Sequence, residues 1–196
     1  MKRVVITGVG AVAPNGVGVD NFRAALQSGK SGISFREDLK EMNYLCQIGG
    51  VPPVEEEDVL KVIPESELNK LNEAMVYAVM ASLECARRSG MEIDWVKGKR
   101  DTPVLWDTGV IIGSGIGGMD TILDSLAPTV FDARNQEAGR GTAAMGTDIV
   151  PQVMSSSVSV AVGKFLGAGG QTSSNSSACN TGTEAIFEAW KNIQLG

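Results

Sequence analysis

The spacing of apolar residues along the chain predicts alternating helices and strands. Between Leu68 and Ser89, apolar residues recur at three- and four-residue steps, which predicts a long amphipathic helix. A helix over residues 21–27 is predicted after Asp20 as its cap, and another over residues 150–166 despite its serines. A last helix is predicted near the C-terminus, with an apolar face formed by Ala185, Ile186, Ala189, Trp190 and Ile193.

Three shorter segments have features of strands. Lys2–Thr7 and Thr108–Ile112 are apolar and carry β-branched residues. Residues 172–178 are the third candidate, although their polar side chains are unusual for a buried strand. Residues 127–148 are predicted to form a long irregular segment. Because strands alternate with helices, the pattern predicts an α/β fold with a largely parallel sheet.

Composition narrows the classes of function. The chain has 196 residues, enough for one large domain. Its net charge of −6 argues against nucleic acid or an anionic membrane as a partner, and no apolar run approaches the roughly 20 residues of a membrane span. Three cysteines without a CxxC pair, and the absence of histidine, make a zinc site or a disulfide framework unexpected. This cysteine usage suits the reducing cytoplasm, and no metal or cofactor is predicted.

Two glycine-rich loops match the spacing of a dinucleotide-binding fingerprint, and each follows a predicted strand. The first glycine loop is Gly8-x-Gly10-x-x-Ala13, and the second glycine loop is Gly113-x-Gly115-x-x-Gly118. In the fingerprint, a helix opens directly after the glycines and points its N-terminus at the pyrophosphate. Pro14, Gly16 and Gly18 delay a helix after the first loop. A dinucleotide-binding domain is therefore the weaker alternative.

The segment NSSACNTGTEAI, residues 175–186, places Cys179 between a predicted strand and a predicted helix. This order resembles a nucleophile elbow, in which the N–H groups at a helix N-terminus favour a thiolate and can hold an oxyanion. Thr181-x-x-Glu184 is a candidate capping box that would start the helix just after the cysteine. Proteases with a Cys–His pair are excluded, because the chain has no histidine to act as the base.

Four segments together resemble the N-terminal part of a β-ketoacyl-acyl-carrier-protein synthase, an elongating condensing enzyme of the thiolase-like superfamily. They are KRVVITGVGAVAPNGVG, NEAMVYAVMASLECARRSG, GVIIGSGIGG and SSACNTGTEAI. They occur in the family's order and with its approximate spacing. The resemblance implies a thiolase-like α/β fold, the N-terminal part of the layered αβαβα condensing-enzyme architecture. Residues 1–196 would then form one N-terminal condensing-enzyme domain, truncated relative to the family.

The resemblance also implies roles for two residues. Cys179 would accept a fatty acyl group from the pantetheine thiol of an acyl carrier protein, and its backbone N–H would form half of the oxyanion hole. A malonyl-carrier would then be decarboxylated, and its carbanion would extend the chain by two carbons. Ile116, in the second glycine loop, would line the acyl pocket and help to set chain length. The resemblance further implies a homodimer, with the strand before Cys179 near the partner subunit.

The sequence also departs from the family's pattern. Gly170-Gln171-Thr172 replaces the usual Gly-Pro-Ser step, so fatty-acid and polyketide synthesis both remain open. The two histidines and the lysine that complete the family's site belong to its C-terminal half and have no counterparts here. Condensation by this chain alone is therefore not expected. A non-catalytic carrier-protein-binding or dimerisation partner, akin to a chain-length factor, is the other alternative, although Cys179 argues against it.

Overall fold

A computed structural model of the chain describes residues 2–93, 95–96, 99–100, 104–127, 131 and 146–196. Its strands are β1 (Val12–Ala13), β2 (Gly16–Val17), β3 (Ile33–Phe35), β4 (Ile48–Gly50), β5 (Trp95–Val96), β6 (Lys99–Arg100), β7 (Val110–Gly113) and β8 (Thr172–Asn175). Its α-helices are α1 (Val19–Ser28), α2 (Glu37–Glu41), α3 (Glu56–Leu60), α4 (Glu65–Leu68), α5 (Glu73–Arg88), α6 (Met119–Thr121), α7 (Ile149–Val153), α8 (Ser157–Leu166) and α9 (Thr181–Leu195). A π-helical turn, Ile122–Leu126, follows α6, and a 3-10 turn, Ala178–Asn180, precedes α9.

The chain divides into two compact units. The hairpin unit consists of Thr7–Val62 and Met80–Ile93. The cysteine unit consists of Met1–Ile6, Ile63–Val79 and Asp94–Gly196. Each unit draws on segments that are distant in sequence, so each depends on tertiary contacts that local propensity alone does not specify.

In the hairpin unit, two antiparallel pairs, β1–β2 and β3–β4, accompany helix α1. Glu84, in α5, fastens the first part of this unit, because its carboxylate accepts hydrogen bonds from the N–H of Val19 at 2.8 Å and of Ala11 at 3.1 Å. The predicted helix over residues 21–27 is confirmed as part of α1. The predicted cap is wrong, because Gly18 is the N-cap and Asp20 instead lies in the first turn, paired with Arg88 at 2.7 Å.

In the cysteine unit, β7 and β8 form a parallel pair in register from Val110↔Thr172 to Gly113↔Asn175. Helices α8 and α9 contact this pair, and α8 supplies much of the buried core. Ser159 of α8 shares a hydrogen bond with Ser174 of β8, their hydroxyl oxygens 2.6 Å apart. This contact gives the polar strand a partner inside the fold. The α/β fold class is confirmed, but a largely parallel sheet is not found in the described residues, where the pairs β1–β2, β3–β4 and β5–β6 are antiparallel and only the pair β7–β8 is parallel. The helix predicted over residues 68–89 is confirmed by α5.

Two predictions about local structure are wrong. The segment predicted as strand Lys2–Thr7 pairs with none of the strands that the structure describes, and Val5 and Ile6 are exposed. An extended segment becomes a strand only through a neighbouring ladder, which a local pattern cannot supply. The helix predicted over residues 150–166 is broken, because Met154 is extended with ψ 146° between α7 and α8. Serines near such a break compete for backbone hydrogen bonds.

Apolar surface remains open on α9. Ala185 is buried, but Ile186, Phe187 and Ile193 are at least half exposed.

Most of the irregular segment predicted over residues 127–148 lies outside the described residues. Among the residues that the structure describes, no helix is long and apolar enough to cross a membrane.

Candidate functional site

The two residues predicted for the site lie after the carboxyl ends of neighbouring parallel strands. Strand β7 ends at Gly113 and β8 ends at Asn175, directly opposite each other in the register. Ile116 follows the first strand and Cys179 follows the second. In α/β folds, ligands bind at this edge of a parallel sheet. The structure therefore brings both sequence-predicted residues to the edge where a site is expected.

Hydrogen bonds join the two segments beyond the strands. The N–H of Ser114 donates to the carbonyl oxygen of Asn175 at 3.1 Å. The hydroxyl of Ser176 donates to the carbonyl oxygen of Gly115 at 3.3 Å. These two hydrogen bonds attach the second glycine loop to the cysteine segment just beyond the ends of β7 and β8. Sequence analysis missed Ser176, because this bond joins residues far apart in the chain.

The backbone around Cys179 is strained. Ala178, the residue before it, has φ 49°, and Asn43 is the other non-glycine residue with positive φ among those described. A side chain in this left-handed region costs on the order of 1–3 kcal/mol, and such strain concentrates at functional sites. The hydroxyl of Thr181 donates to the carbonyl oxygen of Ala178 at 2.9 Å, which helps to hold the turn. Cys179 itself is exposed.

The backbone N–H groups of this turn differ in whether they donate hydrogen bonds. The N–H of Asn180 donates to Ser177, and that of Thr181 donates to Ala178. The N–H of Cys179 donates no hydrogen bond to any residue in the described part of the chain. An oxyanion hole requires a backbone donor of this kind, one that the fold itself does not use.

The predicted capping box does not form. The box requires Thr181 as the N-cap, but helix α9 already begins at Thr181, so Asn180 is the N-cap and it makes no side-chain cap. One carboxylate oxygen of Glu184 is buried and has no hydrogen-bond partner among the described residues. The helix start is instead tied to β8, because the side-chain amide of Asn175 donates to the carbonyl oxygen of Thr181 at 3.1 Å. The N-terminal turn of α9 is therefore positioned by a strand end, a nonlocal contact that the sequence pattern did not reveal.

Glycines allow these close approaches. A Cβ on Gly113 would lie 2.4 Å from the carbonyl oxygen of Thr181, so only glycine lets α9 begin this close to β7. At Gly115 a Cβ would meet nothing within 4 Å. Ile116 follows in the exposed part of the loop, with 76% of its surface accessible.

The other two cysteines have different surroundings. Cys46 is exposed in the hairpin unit, and Cys85 is partly buried on α5. Burial, and to a lesser extent the negative charge of Glu84, raises the pKa of the Cys85 thiol. All three thiols are free. Among the described residues, no group of three or more His, Cys, Asp or Glu side chains is placed to hold a metal ion.

Comparisons with known proteins agree over the whole chain. Residues 1–196 match the family model for the N-terminal domain of beta-ketoacyl synthases. The 3-oxoacyl-[acyl-carrier-protein] synthase 1 of Haemophilus influenzae is 30% identical over 201 residues, a match that covers 100% of this chain and 44% of that protein. The solved structure of a beta-ketoacyl synthase from Burkholderia phymatum STM815 gives a TM-score of 0.75 at 26% identity, over 100% of this chain and 44% of that one.

A third similarity concerns the fold alone. The ishigamide ketosynthase/chain length factor gives a TM-score of 0.73 at 19% identity, covering 98% of this chain and 49% of that one. The chain therefore spans less than half the length of these three proteins.

Proposed function

The chain belongs to the β-ketoacyl synthase family and has its thiolase-like α/β fold, and we propose that it carries the nucleophile half of a condensing site. The observation that carries the proposal is the strained turn at Ala178, which presents an exposed Cys179 just before α9 with a backbone N–H that donates to no described residue. A purely structural cysteine does not need this combination.

In the proposed half-reaction, the Cys179 thiolate attacks the carbonyl carbon of an acyl thioester. A new C–S bond forms to Cys179, and the carbonyl oxygen becomes a transient oxyanion that the N–H of Cys179 stabilises. The oxyanion collapses, the C–S bond to the donor breaks, and the donor thiolate leaves and takes up a proton. The acyl group then remains on Cys179 as a thioester.

Ile116 is the proposed residue of the acyl pocket. Its side chain is exposed on the second glycine loop, and the bond from Ser176 to Gly115 attaches that loop to the cysteine segment. A larger side chain at this position would occupy space beside the acyl chain. We therefore expect position 116 to influence the length of acyl group that Cys179 accepts.

Condensation requires more than acyl transfer. Decarboxylation of a malonyl thioester produces a carbanion, and stabilising its developing charge needs donors that a half-site does not contain. The chain has no histidine among its 196 residues, so we propose that it accepts an acyl group without condensing it. The chain spans 44% of the matched Haemophilus influenzae synthase, which leaves ample sequence in such relatives for the remaining groups.

The wider context of the reaction is also a proposal. Acyl carrier protein appears in the name of the related Haemophilus influenzae synthase, and we propose it as the donor for this chain. A homodimer stays a prediction from the family resemblance, and a cytoplasmic location stays a prediction from the cysteine usage. Fatty-acid and polyketide synthesis both stay open for this chain, and the proposed pocket around Ile116 would bear only on acyl-chain length.

The direct test is acylation of the full chain by a simple thioester. We would incubate it with octanoyl-N-acetylcysteamine and locate the acyl group by intact and peptide mass spectrometry. We expect one acyl group on Cys179, none in Cys179→Ala, and unchanged labelling in a Cys46→Ala/Cys85→Ala variant. Failure to acylate Cys179, or equal acylation of all three cysteines, would contradict the proposal. The non-catalytic partner akin to a chain-length factor would then become the better hypothesis.

A further inference from the structure

Gln152 is a buried polar residue whose side-chain oxygen and nitrogen each make a hydrogen bond. It is 8% exposed and lies in α7. Its side-chain oxygen accepts a hydrogen bond from the hydroxyl of Thr121 at 2.8 Å, and its amide nitrogen donates to the carbonyl oxygen of Asn69 at 3.0 Å. Its backbone carbonyl accepts from the side chain of Asn72 at 2.7 Å. Because each bond is directional, Gln152 holds three segments of the cysteine unit in one arrangement.

The network reaches the end of the second glycine loop. Gly118 adopts φ +68°, and a Cβ there would lie 2.6 Å from the carbonyl oxygen of Gln152. Helix α6 starts directly after Gly118, and it carries Thr121 to its bond with Gln152. Gly117 also lies close, since its Cβ would be 3.4 Å from the hydroxyl of Ser157. The downstream end of the loop therefore rests on the segment that contains Gln152.

The same elements are tied to the start of α5. The side-chain oxygen of Asn72 accepts from the N–H of Met75 at 2.9 Å and so caps this helix, while its amide holds Gln152. Asp120 of α6 accepts from the N–H of Glu73, also at 2.9 Å. Helix α6 is thus attached to α5 as well as to α7, which restricts its freedom to shift.

Ile116 consequently lies between two anchors. On its upstream side, Ser176 of the cysteine segment binds Gly115. On its downstream side, Gly118 rests on Gln152, and Thr121 is bonded to that side chain. An apolar side chain at position 152 would fill similar volume without fixing a direction. The polar network therefore specifies where the loop carries Ile116.

We propose that Gln152 is a positioning residue for the acyl pocket, acting through Thr121 and Gly118 on the orientation of Ile116. The inference rests on the proposed role of Ile116 in the pocket. Gln152 touches no reacting atom in this scheme. Loosening its network changes which acyl lengths reach Cys179 and has less effect on the reaction of a short group.

The test uses alkylating probes of different length on the full chain. N-ethyl and N-dodecyl iodoacetamide both react with a thiolate, and the ratio of their rates at Cys179 measures chain-length selectivity. Thr121→Val removes the hydroxyl that bonds Gln152 while keeping the shape of the side chain, and Thr121→Ser restores a hydroxyl. Gln152→Met removes both side-chain bonds. Ile116→Phe changes the pocket residue directly, and thermal melts establish that each variant is folded.

We expect Thr121→Val and Gln152→Met to change the ratio by about two- to tenfold, the range that follows from losing a neutral hydrogen bond. Thr121→Ser should keep the wild-type ratio. If Ile116→Phe changes the ratio but a folded Thr121→Val does not, the positioning role is wrong and the pocket stands. If Ile116→Phe also leaves the ratio unchanged, the pocket proposal fails and this inference fails with it.

Discussion

Gly8 and Gly10 of the first glycine loop lie against a helix, whereas the second glycine loop borders the turn that holds the proposed nucleophile. A Cβ on Gly8 would be 2.2 Å from the carbonyl oxygen of Cys85, and one on Gly10 would be 1.8 Å from that of Ala81. Both contacts are to the backbone of α5 within the hairpin unit. These glycines are explained by close packing against a helix.

Of the three fingerprint glycines in the second glycine loop, Gly113 and Gly118 are required by their surroundings and Gly115 is not. Gly113 allows the approach of α9, and Gly118 adopts a left-handed conformation against Gln152. Gly115 has open space around it and binds Ser176 through its carbonyl oxygen. The two loops share the same glycine spacing but have different surroundings. A glycine pattern alone is therefore weak evidence for nucleotide binding. After the first loop, the hairpin β1–β2 intervenes before α1 begins at Val19.

The largest expected difference between the loops concerns stability. We expect Gly10→Ala to lower the free energy of unfolding by about 3 kcal/mol, because the new methyl group meets backbone that cannot rotate away. Gly115→Ala, the matched control, adds the same group in open space and should change it by less than about 0.5 kcal/mol. Urea denaturation followed by circular dichroism measures both. Equal destabilisation would show that the loops are not packed differently.

Each loop also lies beside a cysteine, and the two thiols should react at different rates. Cys85 is partly buried and its pKa is raised, so less of it is the reactive thiolate at neutral pH. Cys179 is exposed at the start of α9. We expect iodoacetamide to alkylate Cys179 faster than Cys85 by on the order of tenfold, and also faster than Cys46. Peptide mass spectrometry over a time course gives the three rates.

The pH dependence adds a second check on the same pair. Because the pKa of Cys85 is raised, its thiolate fraction and its rate should increase as the pH rises above neutrality. Once the pH exceeds the raised pKa of Cys85, the difference that remains between the rates of Cys85 and Cys179 should reflect the partial burial of Cys85. Equal rates at all three cysteines in the folded chain at neutral pH would contradict the proposed environment of Cys179.

The sequence best predicted the helices and strands that are determined by residues close together along the chain. Helix α5 was predictable because its apolar face repeats over many residues, and β7 because a short apolar run precedes the second glycine loop. The order of strand, Cys179 and helix was also local. Lys2–Thr7 was mispredicted as a strand because pairing depends on a partner that the local pattern does not contain.

The site's supporting contacts were not predictable for the same reason. Ser176 reaches Gly115 and Gln152 reaches Asn69 across long separations in sequence. Nothing in the composition of either segment indicates the partner. The capping box at Thr181 illustrates the converse, because a local motif is overridden when the hydroxyl of Thr181 donates to the carbonyl oxygen of Ala178 and a carboxylate oxygen of Glu184 is buried.

The smallest expected effect concerns the polar strand β8, which pairs with the strand that leads into the second glycine loop. The hydrogen bond between Ser159 and Ser174 attaches α8 to β8, a role that apolar contacts have elsewhere in the fold. In a double-mutant cycle of Ser159→Ala and Ser174→Ala, we expect a coupling of about 0.5–1 kcal/mol in the free energy of unfolding. The coupling should be modest because Ser159 also donates to the carbonyl of Ser156, at 3.0 Å, and the exposed Ser174 can bind water.

Pairing Ser159→Ala with Ser173→Ala provides the control, since Ser173 makes no side-chain hydrogen bond within the described part of the chain. The effects of these two substitutions on the free energy of unfolding should be additive. A coupling near zero for Ser159 and Ser174 would mean that water replaces their bond without loss. The polar strand would then be tolerated rather than stabilised, and the attachment of the second glycine loop would depend on its backbone register and on Ser176 instead.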